Sequence, residues 1–302
     1  MPSAVLEGLK KYPVRISVIS AMLDSGGSAG KERRLFQTKV SFGDIRRAAL
    51  ALSEISQEKK ELFKHRFSNG TALANAYCTA NVSAVGIEAL LEDIKEDLKI
   101  SDKHQVLPVT LDDVTLCAEL ENGEAIRGET NVDIPKHDSN LKIRRAFLEP
   151  EARAYQPAVK AIEEADLIIM GPGDLYSSLS QILLVRGIPE SIGRSSAPKV
   201  YICNLMTKSG ETNNFSVLDF TTEIEKYLEQ KTDYVIFNKN KVSPSRVTDY
   251  KKEHPELLEM VRYPDDLDEN KFIGEDILLE KGPIVHDPDK LAKIILTLCA
   301  KQ

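Results

Sequence analysis

A short apolar strand that ends in a glycine turn is the feature that most constrains the fold of this chain. The apolar run 167–170 leads into the turn Gly171-Pro172-Gly173, and Asp174, Ser177 and Ser178 then supply the start of a helix. An uninterrupted apolar run of this length suits a parallel strand covered on both faces. Glycines permit a tight turn, and free amides at a helix start attract anions. We therefore predict an α/β fold, in which this corner either binds phosphate or is a plain strand–turn–helix connection.

Alternating helix and strand patterns extend this prediction along the chain. Helices are predicted at 3–11, 44–67 with a break near Ser56, 71–99, 157–165, 174–185 and from Asp287 onward. Strands are predicted at 14–22, 105–110, 114–120, 125–127, 143–147, 167–170, 199–204 and 233–237, with Asn122-Gly123 as a hairpin turn. The pattern indicates one domain over 1–302 with a mostly parallel sheet, a β-rich insert near 105–148 and a charged C-terminal lobe at 240–302.

Composition excludes several classes of protein. The net charge of −7 argues against a general affinity for nucleic acid or for an anionic membrane, because either would need a basic surface. The four cysteines are far apart and form no CxxC pair, which predicts neither a zinc site nor a disulfide framework. With no apolar run long enough for a bilayer and no signal-peptide pattern at the start, we expect a cytoplasmic protein. Homo-oligomerisation stays open.

Three polar loops follow predicted strands and are expected to meet at one edge of the sheet. They are residues 24–30, 171–178 and 204–212. Ligands of open parallel sheets bind beyond the carboxyl ends of the strands, so side chains from these loops can converge there. Asp24 and Asp44 are candidate Mg²⁺ ligands and tentative catalytic residues, since Mg²⁺ commonly takes one or two carboxylates plus substrate phosphate oxygens. Asp24 is equally a turn residue and Asp44 equally a helix N-cap.

The remaining candidate ligand contacts are cationic, amide, hydroxyl and glycine groups near these loops. Arg46 can pair with phosphate or face solvent, and Asn75 can bind a base or be a satisfied core amide. The full set of candidate ligand-binding residues comprises Gly26, Gly27, Ser28, Arg46, Asn75, Gly171, Gly173, Asp174, Ser177, Asn204 and Thr207.

Several segments together carry a resemblance to a known family. They are DSGGSAG at 24–30, GDIR at 43–46, VLPVT at 106–110, LCAELENG at 116–123, GET at 128–130, ADLIIMGPGDLYSS at 165–178, KVYICNLMTKSGET at 199–212 and HDPDKLAKIIL at 286–296. On these motifs the chain resembles the gluconeogenesis factor family, which is related to 2-phospho-L-lactate transferase of deazaflavin coenzyme synthesis. The resemblance covers nearly the whole chain.

The resemblance implies a Rossmann-like three-layer fold and binding of a nucleotide-linked ligand, a UDP-sugar in the regulatory members. It implies a role in cell shape and in growth on gluconeogenic carbon. The related transferases move a phospholactyl group from a guanosine diphosphate carrier to a deazaflavin with Mg²⁺. A UDP-sugar-binding regulator is thus the leading hypothesis. A Mg²⁺-dependent transferase is the second, and a ligand-free or truncated family member is the third.

The sequence departs from the family pattern in three places. Family members begin with a strand and a GGGTG loop, whereas here Met1 lies almost directly before the helix that ends in GLKKYP at 8–13. A truncated gene model or a natural short form would explain this. In a doubly wound sheet that strand is central, so we expect a gap or a rearranged sheet. The family's paired aspartates read Asp24-Ser25, and its histidine before Asn75 is missing, which favours ligand binding over catalysis.

Overall fold

The computed structural model describes residues 3–22, 41–68 and 72–300. Its helices are α1 (Ser3–Leu9), α2 (Gly43–Leu52), α3 (Gln57–Lys64), α4 (Leu73–Val85), α5 (Ile87–Asp97), α6 (Glu129–Asp133), α7 (Gln156–Glu163), a π-helical turn (Leu175–Ser180), α8 (Gln181–Leu183), α9 (Ile188–Arg194), α10 (Val217–Leu228), α11 (Pro244–Glu253) and α12 (Pro288–Cys299). Its strands are β1 (Ile16–Ser20), β2 (His104–Pro108), β3 (Thr115–Leu120), β4 (Ala125–Arg127), β5 (Ile143–Glu149), β6 (Ile168–Met170), β7 (Lys199–Ile202), β8 (Met206–Lys208), β9 (Tyr234–Asn238), β10 (Leu257–Met260) and β11 (Phe272–Glu275).

The parallel strands form two hydrogen-bonded sheets. Strand β1 pairs in parallel with β2, and a four-stranded parallel sheet has the order β11-β9-β7-β6. Residues from both sheets alternate between the same two hydrophobic clusters: Val18 and Ile169 pack against one, and Ile19 and Met170 belong to the other. Because strand side chains alternate between faces, the two sheets occupy one middle layer between two covering layers. The predicted three-layer α/β fold is confirmed, with its parallel strands divided between two hydrogen-bonded sheets.

Antiparallel strands form the smaller sheets. The order β4-β3-β5 is an antiparallel sheet whose hairpin turn contains Gly123 at φ +86°, as predicted for Asn122-Gly123. Strand β2 belongs to the parallel layer rather than to this insert, so the insert begins later than predicted. No strand was predicted in the charged C-terminal lobe at 240–302, yet this segment supplies β10, which pairs with β8, and β11, which extends the main sheet.

Local sequence signals account for the helix boundaries near the two predicted breaks. The helix predicted at 44–67 is interrupted at 53–56, and Ser56 accepts a hydrogen bond from the Lys59 amide as the N-cap of α3. The helix predicted at 71–99 is divided at Gly86, whose φ of +85° suits glycine. Asp287 caps α12 by accepting from the Asp289 and Lys290 amides. Among the described residues, no helix has the length and apolar character needed to cross a membrane.

Candidate functional site

The turn after β6 is built by glycine. Gly171 has φ +84°, and a Cβ at this position would lie 2.8 Å from the carbonyl oxygen of Ile202 at the end of β7. A Cβ at Gly173 would meet the side chain of Leu179 at 3.3 Å. Both glycines therefore let the turn pack against the neighbouring strand and the π-helical turn. Asp174 then takes the N-cap position, as predicted, although its side chain makes no capping hydrogen bond.

An internal carboxylate occupies the start of the π-helical turn. The amides of Tyr176 and Ser177 donate to Glu211 Oε2 at 3.1 and 3.4 Å, and the Ser177 hydroxyl donates to Glu211 Oε1 at 3.1 Å. This position favours an anion such as a carboxylate, because the free amides and the positive end of the helix dipole both face the bound group. In this structure Glu211 therefore takes the two amides that would otherwise face a phosphate at Ser177.

Lys208 lies at the centre of three carboxylates from separate parts of the chain, which we call the carboxylate cluster: Asp133, Asp174 and Glu211. Its Nζ is 2.8 Å from Glu211 and 3.2 Å from Asp174, and it also contacts Asp133. The Lys208 side chain is 9% exposed and that of Glu211 is 1% exposed, whereas Asp133 and Asp174 are partly open to solvent. The lysine thus links the ends of α6, β6 and β8.

Burial and charge oppose each other within the carboxylate cluster. Burial by itself would lower the pKa of Lys208, but the three carboxylates outweigh it and raise that pKa. Burial raises the pKa of Glu211, with Asp174 and Asp133 adding to the effect and Lys208 opposing it. The cluster carries more negative than positive groups, so it favours partners that donate hydrogen bonds over bare anions.

Two of the three predicted loops meet at this site. Lys208 contacts Asp174 and Glu211 contacts Ser177, so the loops at 171–178 and 204–212 converge beyond the ends of β6 and β7. The Asn204 Oδ1 atom is shielded from solvent and has no hydrogen-bond partner among the described residues. Thr207 is fully buried, and its hydroxyl exchanges hydrogen bonds with the backbone of Glu259 on β10. Thr207 therefore joins β8 to β10.

Arg46 and Asn75 form a second, separate contact. Arg46 Nε on α2 donates to Asn75 Oδ1 on α4 at 3.0 Å, and Asn75 is buried. Asp44 lies in the first turn of α2, where it pairs with Arg47, while Phe42 holds the N-cap position that was predicted for Asp44. The N-cap lies two residues earlier than predicted, which places Asp44 inside the first turn, where its carboxylate pairs with Arg47, three residues on along the helix. Asp24, Gly26, Gly27 and Ser28 lie outside the described residues.

Lys208 and two members of the carboxylate cluster, Asp133 and Glu211, were not predicted from the sequence as site residues. Lys208 and Glu211 lie in the quoted segment 199–212, and their spacing of three residues after a strand was the available signal. Asp133 lies 75 positions before Lys208 and had no signal of its own. Only packing of α6 beside the π-helical turn brings it to the site.

Mg²⁺, the metal implied by the related transferases, does not fit the carboxylate cluster as it stands. Carboxylate oxygens of Asp133, Asp174 and Glu211 lie within 4.8 Å of one another, which is a spacing that could hold a metal ion. The Lys208 ammonium already lies among them and supplies the positive charge. Asp44 belongs to no such group among residues 3–22, 41–68 and 72–300. The pairing of Asp24 with Asp44 as Mg²⁺ ligands stays a prediction.

Fold and site together define a doubly wound α/β protein with a polar site beyond the carboxyl ends of β6 and β7. Residues 2–273 match the family model described as 2-phospho-L-lactate transferase CofD, and the chain belongs to this family. The resemblance inferred from the sequence motifs is thereby confirmed.

Proteins named gluconeogenesis factor are among its relatives. One from Bacillus subtilis is 32% identical over 98% of this chain and 94% of its own length, and one from Halalkalibacterium halodurans is 34% identical over 97% and 92%. The chain spans 66% of the length of a Clostridium acetobutylicum relative. A crystal structure of the UPF0052 family protein BH3568 from Bacillus halodurans, 32% identical, superposes with a TM-score of 0.87 over 97% of this chain and 96% of that one.

Proposed function

We propose that this protein binds a UDP-sugar at the polar site beyond β6 and β7 and acts as a cytoplasmic regulator of the gluconeogenesis factor type. The observation that carries the proposal is the buried, unpartnered Oδ1 of Asn204, on the loop that meets the carboxylate cluster. A buried acceptor without a partner is costly, and a ligand N–H or O–H would satisfy it.

The chemistry of the polar site favours the hydroxyl-bearing part of such a ligand. Asp174 and Asp133 are partly exposed acceptors, and an acidic side chain that accepts a hydrogen bond from a ribose hydroxyl is a recurring feature of nucleotide-binding α/β folds. The excess negative charge of the carboxylate cluster repels a diphosphate. The amides of Tyr176 and Ser177 are not free to bind one, because both already donate to Glu211. We therefore assign ribose or sugar hydroxyls to the cluster. The contacts of phosphate with Gly171, Gly173, Gly26, Gly27 and Ser28 stay predictions.

Calorimetry with UDP-N-acetylglucosamine tests this assignment. We expect saturable binding to the native chain, and Asn204→Ala should weaken it about tenfold, which corresponds to about 1.4 kcal/mol. Asn140→Ala is the matched control, because Asn140 is exposed and its side-chain amide donates to Asp138, away from the carboxylate cluster. Absence of heat at millimolar ligand on folded protein, or equal affinity of the Asn204 and Asn140 variants, would contradict the proposal.

The cellular role is tested separately. A strain that lacks the gene for this protein should grow poorly and lose its normal shape on gluconeogenic carbon, and the native gene should restore both. Asn204→Ala should restore neither if ligand binding drives the role. Full rescue by that variant would show that the cellular role does not depend on ligand binding at Asn204.

No contact in the described residues favours Mg²⁺-dependent transfer as a second function. Asp44 pairs with Arg47, and Lys208 supplies the positive charge in the carboxylate cluster. The third hypothesis, a ligand-free family member, predicts that the calorimetric test gives no binding at all.

A further inference from the structure

The free edge of the main sheet borders a groove that no part of the proposed function uses. Within the part of the chain that the structure describes, strand β11 pairs with β9 on one side and is the last strand of its sheet. A cavity of about 520 Å³ borders this strand and is lined by all four residues of β11, from Phe272 to Glu275, and by Phe237 of β9, whose ring reaches over Gly274. Consecutive strand residues point to opposite faces of a sheet. A cavity lined by all four therefore lies along the backbone edge, in the plane of the sheet.

The two covering layers form the walls of this edge groove. Ile294 and Leu298 of α12 line one wall, and they pack in the same hydrophobic cluster as Ile273. Tyr263 and Leu267 line the opposite wall and belong to the cluster that contains Phe272. The walls therefore continue past β11, as they would to cover one more strand.

The backbone of β11 presents hydrogen-bonding groups to the groove. The Val235 amide donates to the Lys271 carbonyl, and the Lys239 amide donates to the Glu275 carbonyl. In a parallel ladder every second residue faces the same neighbour, so Phe272 and Gly274 are turned away from β9. The Phe272 amide donates to the Asp268 carbonyl. The Phe272 carbonyl and the amide and carbonyl of Gly274 are thus directed into the groove.

The rim of the groove is acidic. Asp265, Glu269 and Glu275 are exposed on it, and none of the three has an ion-pair partner within residues 3–22, 41–68 and 72–300. Of the described residues that line the groove, Lys239 is the one cation. A second copy of this chain would set the same acidic rim against itself, and such a pairing is unfavourable. Charge complementarity therefore selects a basic partner.

We propose that the edge groove of β11 binds an extended basic segment of a partner protein, which adds a strand to the main sheet. Four residues of contact span about 13 Å. Main-chain hydrogen bonds to Phe272 and Gly274 supply affinity, and alternate apolar side chains pack between α12 and the wall at Leu267. Lysine or arginine residues of the partner face Asp265 and Glu269.

A labelled peptide that alternates lysine and valine tests the proposal by fluorescence anisotropy with the full chain. We expect the peptide to bind saturably to the native chain. It should bind at least about tenfold more weakly to the double variant Asp265→Lys, Glu269→Lys. The double variant Glu92→Lys, Glu124→Lys is the matched control, because it changes the net charge equally at exposed positions that do not line the groove. It should bind as the native chain does.

Two further measurements distinguish strand addition from simple charge attraction. Methylating the backbone nitrogens of the peptide at alternate positions should abolish binding for one of the two sets of positions and not for the other. The Gly274 amide should exchange with solvent more slowly when the peptide is bound. No binding, equal binding of both methylated peptides, or unchanged exchange at Gly274 would overturn the proposal. Self-association that protects Gly274 without peptide would overturn it in favour of a second copy.

Discussion

Replacing Lys208 by methionine tests the reasoning about the carboxylate cluster most directly. Methionine keeps an unbranched side chain and removes the ammonium that lies 2.8 Å from Glu211 and 3.2 Å from Asp174. Asp174 and Asp133 reach solvent and can rehydrate, but Glu211 is 1% exposed and cannot. The cost of the substitution therefore comes mainly from Glu211.

The expected loss of stability follows from breaking a buried ion pair. Removing one partner of such a pair typically costs 3–5 kcal/mol, and we expect about 3 kcal/mol at pH 8 because two of the carboxylates are partly hydrated. The loss depends on pH. Burial raises the pKa of Glu211 in the folded chain, and loss of Lys208 raises it further. A raised folded pKa stabilises the protonated carboxyl, so the variant should lose stability as the pH rises above the ordinary glutamate range.

Urea unfolding followed by circular dichroism between pH 5 and pH 8 measures the effect. Lys252→Met is the control, because Lys252 and its partner Asp249 are both exposed, and it should change the free energy of unfolding by about 0.5 kcal/mol or less. Adding Glu211→Gln to Lys208→Met should recover much of the loss, since a neutral side chain needs no cation. A loss below about 1 kcal/mol at pH 8, or a pH dependence equal to that of the native chain, would refute the argument.

Two further predictions concern the turn after β6 and His286, whose side chain is buried. Gly171→Ala should lower the free energy of unfolding in urea by about 2–3 kcal/mol, and Gly123→Ala by about 1 kcal/mol. Both glycines have positive φ, but only at Gly171 would a Cβ also meet the carbonyl oxygen of Ile202. Equal losses for the two variants would contradict this steric account. Burial lowers the pKa of His286 to about 3, so its contribution to stability is present above pH 6.5 and declines as the pH falls towards 3. The stability difference between the native chain and His286→Gln should therefore shrink below pH 6.5, and a difference constant from pH 4 to pH 8 would show that His286 does not titrate as inferred.

The elements that local pattern predicted well are those whose own residues specify them. The apolar run before Gly171, the capping serine Ser56 and the Asn122-Gly123 turn each carry their signal within a few neighbouring positions. Strand β11 was missed because its four residues lie in a charged, proline-interrupted segment and pair with β9, 37 positions away. The pairing that makes it a strand is a property of the sheet.

The candidate site shows the same division. Sequence motifs were sufficient to establish the α/β class, the family and the two loops that converge beyond β6 and β7, because these depend on local turns and strand ends. Tertiary structure alone decided that Glu211 satisfies the amides of Tyr176 and Ser177 and that Lys208 joins Asp133 to Asp174. Charged side chains have many acceptable partners in sequence, and the packing of distant elements selects which of them meet.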